Sequence, residues 1–60
     1  MPRVLIIEDD PESRRALTGL LAREDWKVLQ AADGDVGVEL ALRNRPELIL
    51  CELLLPKSNG

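Results

Sequence analysis

Aromatic side chains are almost missing from this 60-residue chain. It has no phenylalanine or tyrosine, and Trp26 stands alone. Any core must therefore be aliphatic, and an ordinary 45 % hydrophobic content supplies the material for one. An excess of positive charge is missing too. Eight basic residues, scattered rather than striped, face eleven acidic ones, which gives no support to a nucleic-acid-binding surface. A single cysteine, Cys51, excludes an intrachain disulfide and suits a reducing compartment. Its place inside an apolar run predicts a small buried thiol rather than a reactive one. Long hydrophobic stretches are also lacking. Val4–Ile7 is too short for a signal-peptide core and far too short to span a bilayer, so a soluble, cytoplasmic protein is expected. No linker, repeat or low-complexity segment divides the chain, which makes at most one small domain. A chain of this size buries only about 60 % of the surface its unfolded form exposes, so marginal stability is expected unless something supplements the core.

What is present is a regular alternation of elements. Val4-Leu5-Ile6-Ile7 is a short, β-branched, continuous apolar run, the pattern of a strand covered on both faces. It ends in Glu8-Asp9-Asp10. Asp10-Pro11 then makes a helix start, with aspartate as N-cap, proline at the first helical position and Glu12 at the positive end of the dipole. Ala16, Leu17, Leu20 and Leu21 follow at helical spacing, with Arg14, Arg15, Arg23 and Glu24 outside, which predicts a first helix over 11–23. Residues 26–31 read as a second strand, and Asp33-Gly34 as a turn. Residues 35–43 fit two templates. Val36, Val38, Leu40 and Leu42 alternate as in a strand, yet Val38, Ala41 and Leu42 also mark a helix face. Connectivity decides for helix, because two buried parallel strands need a long crossover between them. Gly37 is then a weak point, worth up to about 1 kcal/mol against alanine. Arg45-Pro46 ends the helix, since the residue before proline is pushed out of helical geometry. The apolar run from Leu48, expected as a strand over 48–53, reads as the most buried of all, although Glu52 interrupts it.

The pattern is βαβαβ, an α/β unit with a three-stranded parallel sheet. Right-handed crossovers allow the third strand either beyond the second or on the far side of the first. The second arrangement, order 2-1-3, sets strands 1 and 3 side by side, about 4.8 Å apart. It creates a switch point of the kind where open α/β sheets bind ligands, and it gathers Glu8, Asp9 and Glu52 at one end of the sheet. Three neighbouring carboxylates repel unless one is protonated or a cation sits between them. Hard oxygen donors with room for water suit Mg²⁺. Each residue also has a plainer reading. Asp10 is a helix cap before it is a ligand, Glu8-Asp9 alone would be a solvated strand end, and Glu52 alone could point to water.

The stretches "VLIIEDDPESRRAL", "VLQAADG" and "PELILCELLLPKSNG" together resemble the first half of a bacterial response-regulator receiver domain, a CheY-like module with a flavodoxin-like 2-1-3-4-5 sheet. The resemblance covers essentially the whole chain and implies a truncated receiver domain over 1–60. It implies that Glu8 and Asp9 match the acidic pair that holds Mg²⁺, and that Glu52 stands at the phosphoacceptor aspartate. The backbone carbonyl of Leu54 would supply a further metal contact. Arg14 matches a position that is commonly basic, and Leu55-Pro56 through Asn59-Gly60 match the loop after the phosphorylation site. Two departures bear on function. The acceptor is glutamate, and a misplacement of about 1 Å can cost on the order of 100-fold in rate. The extra methylene pushes the carboxylate toward the space a phosphoryl group would fill. The hydroxyl, lysine and aromatic positions of the family's later strands also have no counterpart here.

Three functions follow as expectations. The first is a non-enzymatic, non-phosphorylated interaction module of two-component phosphorelay signalling, with a sensor histidine kinase as a possible partner. The second is a Mg²⁺-dependent phosphoacceptor, active when further sequence or a partner chain completes it. The third is a structural or engineered half-domain without a signalling role. In each, the third strand lacks a neighbour, with no proline or lysine from Leu48 to Leu55 to blunt its edge. A homodimer joined through that strand is expected.

Overall fold

Val4, Leu5 and Ile6 are completely shielded from solvent, and the fold is organised around the strand that carries them. A computed structural model describes residues 1–52. Its elements are β1 (Arg3–Ile7), α1 (Pro11–Arg23), β2 (Lys27–Ala31), α2 (Gly34–Asn44) and β3 (Leu48–Cys51). The strands form one sheet of order β2-β1-β3, the 2-1-3 arrangement expected from the sequence. Both pairings are parallel. Leu5 lies opposite Leu29 on one side and Ile49 on the other, and Ile7 lies between Ala31 and Cys51.

Placing β1 in the middle explains its four-residue aliphatic run. The sheet reverses direction across β1, so right-handed crossovers put α1 and α2 on opposite faces. Leu5, Ile7 and Ala31 form the core on one face, with Leu29, Leu40 and Ala41 packed against them. Val4 and Ile6 alternate onto the other face, where α1 lies over β1 and β2. A strand apolar on both sides is what two covered faces require.

The helix ends follow local chemistry. The Asp10 carboxylate accepts from the Ser13 N–H at 2.9 Å, and Pro11 opens α1 as expected. Asp33 does the same for α2, accepting from the Val36 N–H at 2.9 Å. Asp33-Gly34 is therefore a helix start rather than a free turn, with Gly34 already inside the helix. Arg45, next to Pro46, leaves α2 in left-handed geometry (φ 48°), and its N–H caps the Ala41 carbonyl. The Arg3 guanidinium donates to the Asn44 carbonyl at 2.6 Å, tying the start of β1 to the end of α2.

Three side-chain expectations are corrected. The inward face of α2 is Gly37, Leu40 and Ala41, whereas Val38 and Leu42 are 60 % and 75 % exposed. Gly37 is no weak point. It is buried against Ile7, and a Cβ there would come within 2.8 Å of the Ile7 Cγ1, too close for carbon. The glycine lets the helix approach the central strand. Finally, β3 is the least buried strand, not the most. Leu48, Ile49 and Cys51 are exposed, because neither helix packs over β3 within the described residues. The Cys51 thiol is accordingly exposed, not buried. The strand closes at Cys51, and the expected Leu53 end lies outside the described residues.

Gly37→Ala separates the two roles of this glycine. Helix propensity alone would stabilise the variant by up to about 1 kcal/mol, but overpacking against a β-branched side chain costs about 1–3 kcal/mol. A net loss of about 1–2 kcal/mol is expected in urea unfolding; a gain in stability would show that α2 can lift away at no cost.

Candidate functional site

The carboxyl ends of β1 and β3 meet at one end of the sheet, and the ladder there runs one residue beyond the strands. The Glu52 N–H donates to the Ile7 carbonyl at 2.8 Å, and on the other side the Glu8 N–H donates to the Ala31 carbonyl at 3.0 Å. Glu8 thus leaves a strand pinned from both sides, with position 52 alongside. Glu8, Asp9 and Glu52 come from adjacent strand ends, as the 2-1-3 order requires.

Their side chains differ sharply. Glu8 is buried, 5 % exposed, while Asp9, Asp10 and Glu52 face solvent. A buried carboxylate needs a donor, and Glu8 finds one in the Asp10 N–H, which its Oε1 accepts at 3.0 Å. The Glu8 carbonyl accepts from the Arg14 guanidinium at 2.8 Å. Arg14 is thus half-buried and turned back toward the strand end rather than outward from α1. Sequence periodicity missed this contact. The available signal was a cation one turn into the helix, within reach of a carbonyl six residues earlier.

Asp10 serves as the helix cap that the sequence suggests. The Ser13 N–H holds its carboxyl below the usual range, aided by the Ser13 hydroxyl and, more weakly, by the charge of Arg14; the little desolvation it feels works the other way.

The whole matches a known design. Residues 4–60 fit the family model of the response regulator receiver domain. The chain belongs to that family. Over all 60 residues it is 37 % identical to protein PilH of Pseudomonas aeruginosa, half of which it covers. It is 43 % identical to the DNA-binding dual master transcriptional regulator RpaA of Synechocystis and 42 % identical to the transcriptional regulatory protein AfsQ1 of Streptomyces coelicolor, covering 25 % and 27 % of them. The receiver thus spans about half the length of one curated relative and about a quarter of the other two. No solved structure matches it significantly.

Receiver domains are signalling modules that typically hold Mg²⁺ at the phosphorylation site. The chemistry of Glu8, Asp9 and Glu52 is right for a hard cation. Among the described residues no three His, Cys, Asp or Glu side chains are grouped to hold a metal. One Glu8 oxygen is already engaged by a backbone N–H, and Leu54 lies outside the described residues. No helix among the described residues is long and apolar enough to cross a membrane.

The Asp10 cap carries a pH signature. Its pKa is depressed in the folded state, so its contribution is complete above the unfolded value, about 3.9, and is lost as pH falls through the lower folded value. Asp10→Asn keeps an acceptor but does not titrate. Thermal melts should show the wild type ahead of Asp10→Asn at neutral pH, with the gap closing below about pH 4. A gap independent of pH would remove the charge from the cap's role.

Proposed function

We propose that this receiver is a cytoplasmic, non-enzymatic interaction module of two-component signalling, in which Glu52 occupies the phosphoacceptor position without being phosphorylated in use. One observation carries the reading: the bond from the Glu52 N–H to the Ile7 carbonyl, which holds position 52 beside the Glu8-Asp9 pair. Phosphoryl transfer needs the attacking oxygen in line with the donor phosphorus, and a displacement of about 1 Å can cost on the order of 100-fold. Glutamate carries its carboxylate farther out than that. A phosphoryl group brings close to two negative charges, and the exposed Glu52 carboxylate imitates part of that charge permanently. A sensor kinase would then meet a surface whose charge does not change.

The partner that best fits the sheet is a second copy of the chain. Among the described residues β3 pairs only with β1, and Leu48 and Ile49 are 38 % and 48 % exposed. Two such strands meeting across a two-fold axis would make a six-stranded sheet with an isologous interface.

Acetyl phosphate with Mg²⁺, followed by intact-mass measurement, tests the first statement. No stable phosphoryl adduct is expected on the wild type. An adduct located at Glu52 would replace this reading with that of a working phosphoacceptor, and the expected midpoint of a thermal melt, unchanged by millimolar Mg²⁺, would then rise. Sedimentation at micromolar concentration tests the second: a dimer is expected, and a cooperatively folding monomer would refute it.

A further inference from the structure

Four hydrogen bonds join the end of β1 to the first turn of α1, and three of them close a ring around one residue. The Glu8 carboxylate accepts from the Asp10 N–H (3.0 Å), the Asp10 carbonyl accepts from the Arg14 N–H (2.9 Å), and the Arg14 guanidinium returns to the Glu8 carbonyl (2.8 Å). The fourth is the Asp10 carboxylate accepting from the Ser13 N–H, which fixes the helix end inside the ring. Asp9 is the residue bridged over. It is exposed, and no side-chain hydrogen bond engages it among the described residues.

We infer that Arg14 is the positioning residue of the acidic end of the sheet: its bond to the Glu8 carbonyl locks the β1–α1 turn and holds Asp9 out beside Glu52. The chemistry of the contact supports this. The guanidinium is a permanent cation, and a hydrogen bond from a charged donor is about twice as strong as a neutral one. It is half-buried, so water competes poorly for the carbonyl. It is also the only member of the ring whose reach is set by a side chain long enough to cross back over the helix turn. The Thr18 hydroxyl, donating to the Arg14 carbonyl at 2.7 Å, secures the backbone from which that side chain starts. Among the described residues the Arg14 guanidinium is the one hydrogen-bond donor to the Glu8 carbonyl, which belongs to the peptide that sets the direction of Asp9. The clamp also makes Glu8 and Asp9 unequal. The Glu8 carboxylate is spent on the turn, and Asp9 is the carboxylate presented.

This assignment deepens the proposed function, because Asp9 and Glu52 share the same end of the sheet. It is tested without a phosphoryl donor or a metal, so it can fail while that reading stands, and the reverse. Amide hydrogen exchange and ¹⁵N relaxation are measured on the wild type, Arg14→Met and Arg14→Lys. Arg14→Met is expected to speed exchange of the Asp10 amide by about tenfold to a hundredfold. Amides of the β1 ladder, such as that of Glu8, should change by less than about twofold. The order parameter at Asp9 should drop from a rigid value of about 0.85 to below about 0.6. Arg14→Lys keeps a cationic donor and is expected to restore most of the protection at Asp10. An unchanged Asp10 amide, or uniform acceleration of every amide, would overturn the proposal, the second because it signals a general loss of stability. If Arg14→Met does not fold, Arg14→Lys decides: a partial loss confined to Asp9 and Asp10 supports the clamp, and a uniform one refutes it.

Discussion

Everything in this molecule depends on the parallel pairing of β1 with β3. Had the third strand added beyond β2, β1 would be an edge strand and its four-residue aliphatic run would have no reason to be apolar on both sides. Pairing with β3 makes β1 central, sends the two helices to opposite faces, and aligns Ile7 with Cys51. The acidic end of the sheet is a by-product of that register. Because the ladder continues through the Glu52 N–H, position 52 has no freedom to drift away from the Glu8-Asp9 turn at the backbone level.

That constraint leaves an electrostatic problem, and the chain meets it locally. Like charges at adjacent strand ends raise each other's free energy unless they are neutralised, hydrogen-bonded or solvated. Glu8 is buried and hydrogen-bonded, Asp10 is tied to the start of α1, and Asp9 and Glu52 face water. The four carboxylates are thus distributed between backbone donors and solvent, with Arg14 among them. Membership of the receiver family and the geometry of this particular acidic end are separate findings, and the second does not follow from the first.

The order of elements and the sheet topology could be read from sequence because they rest on short-range signals. Asp10-Pro11 and Arg45-Pro46 bracket the helices through cap and proline chemistry that needs no tertiary contact. The 2-1-3 order needed the family resemblance to choose between two allowed arrangements. What could not be read was burial. The apolar run at Leu48–Cys51 suggested a deep strand, but burial belongs to neighbours, and among the described residues β3 pairs with β1 alone. Gly37 looked like a propensity defect because the Ile7 side chain that requires it lies thirty positions earlier. The facing of α2 was misjudged by one position, since Val38 and Leu42 share the spacing of the true inner face at Gly37, Leu40 and Ala41. Arg14 hid among surface arginines because a bond to a backbone carbonyl leaves no mark on a complementary side chain.

The contact between Gly37 and Ile7 bears on how such a sequence can diverge. Position 37 has room for a hydrogen and nothing larger while isoleucine stands at 7. A side chain can enter the helix there only if the strand residue shrinks first, since the reverse order passes through an overpacked intermediate. The two sites should therefore vary as a pair among descendants of this chain, with the strand leading and the helix following.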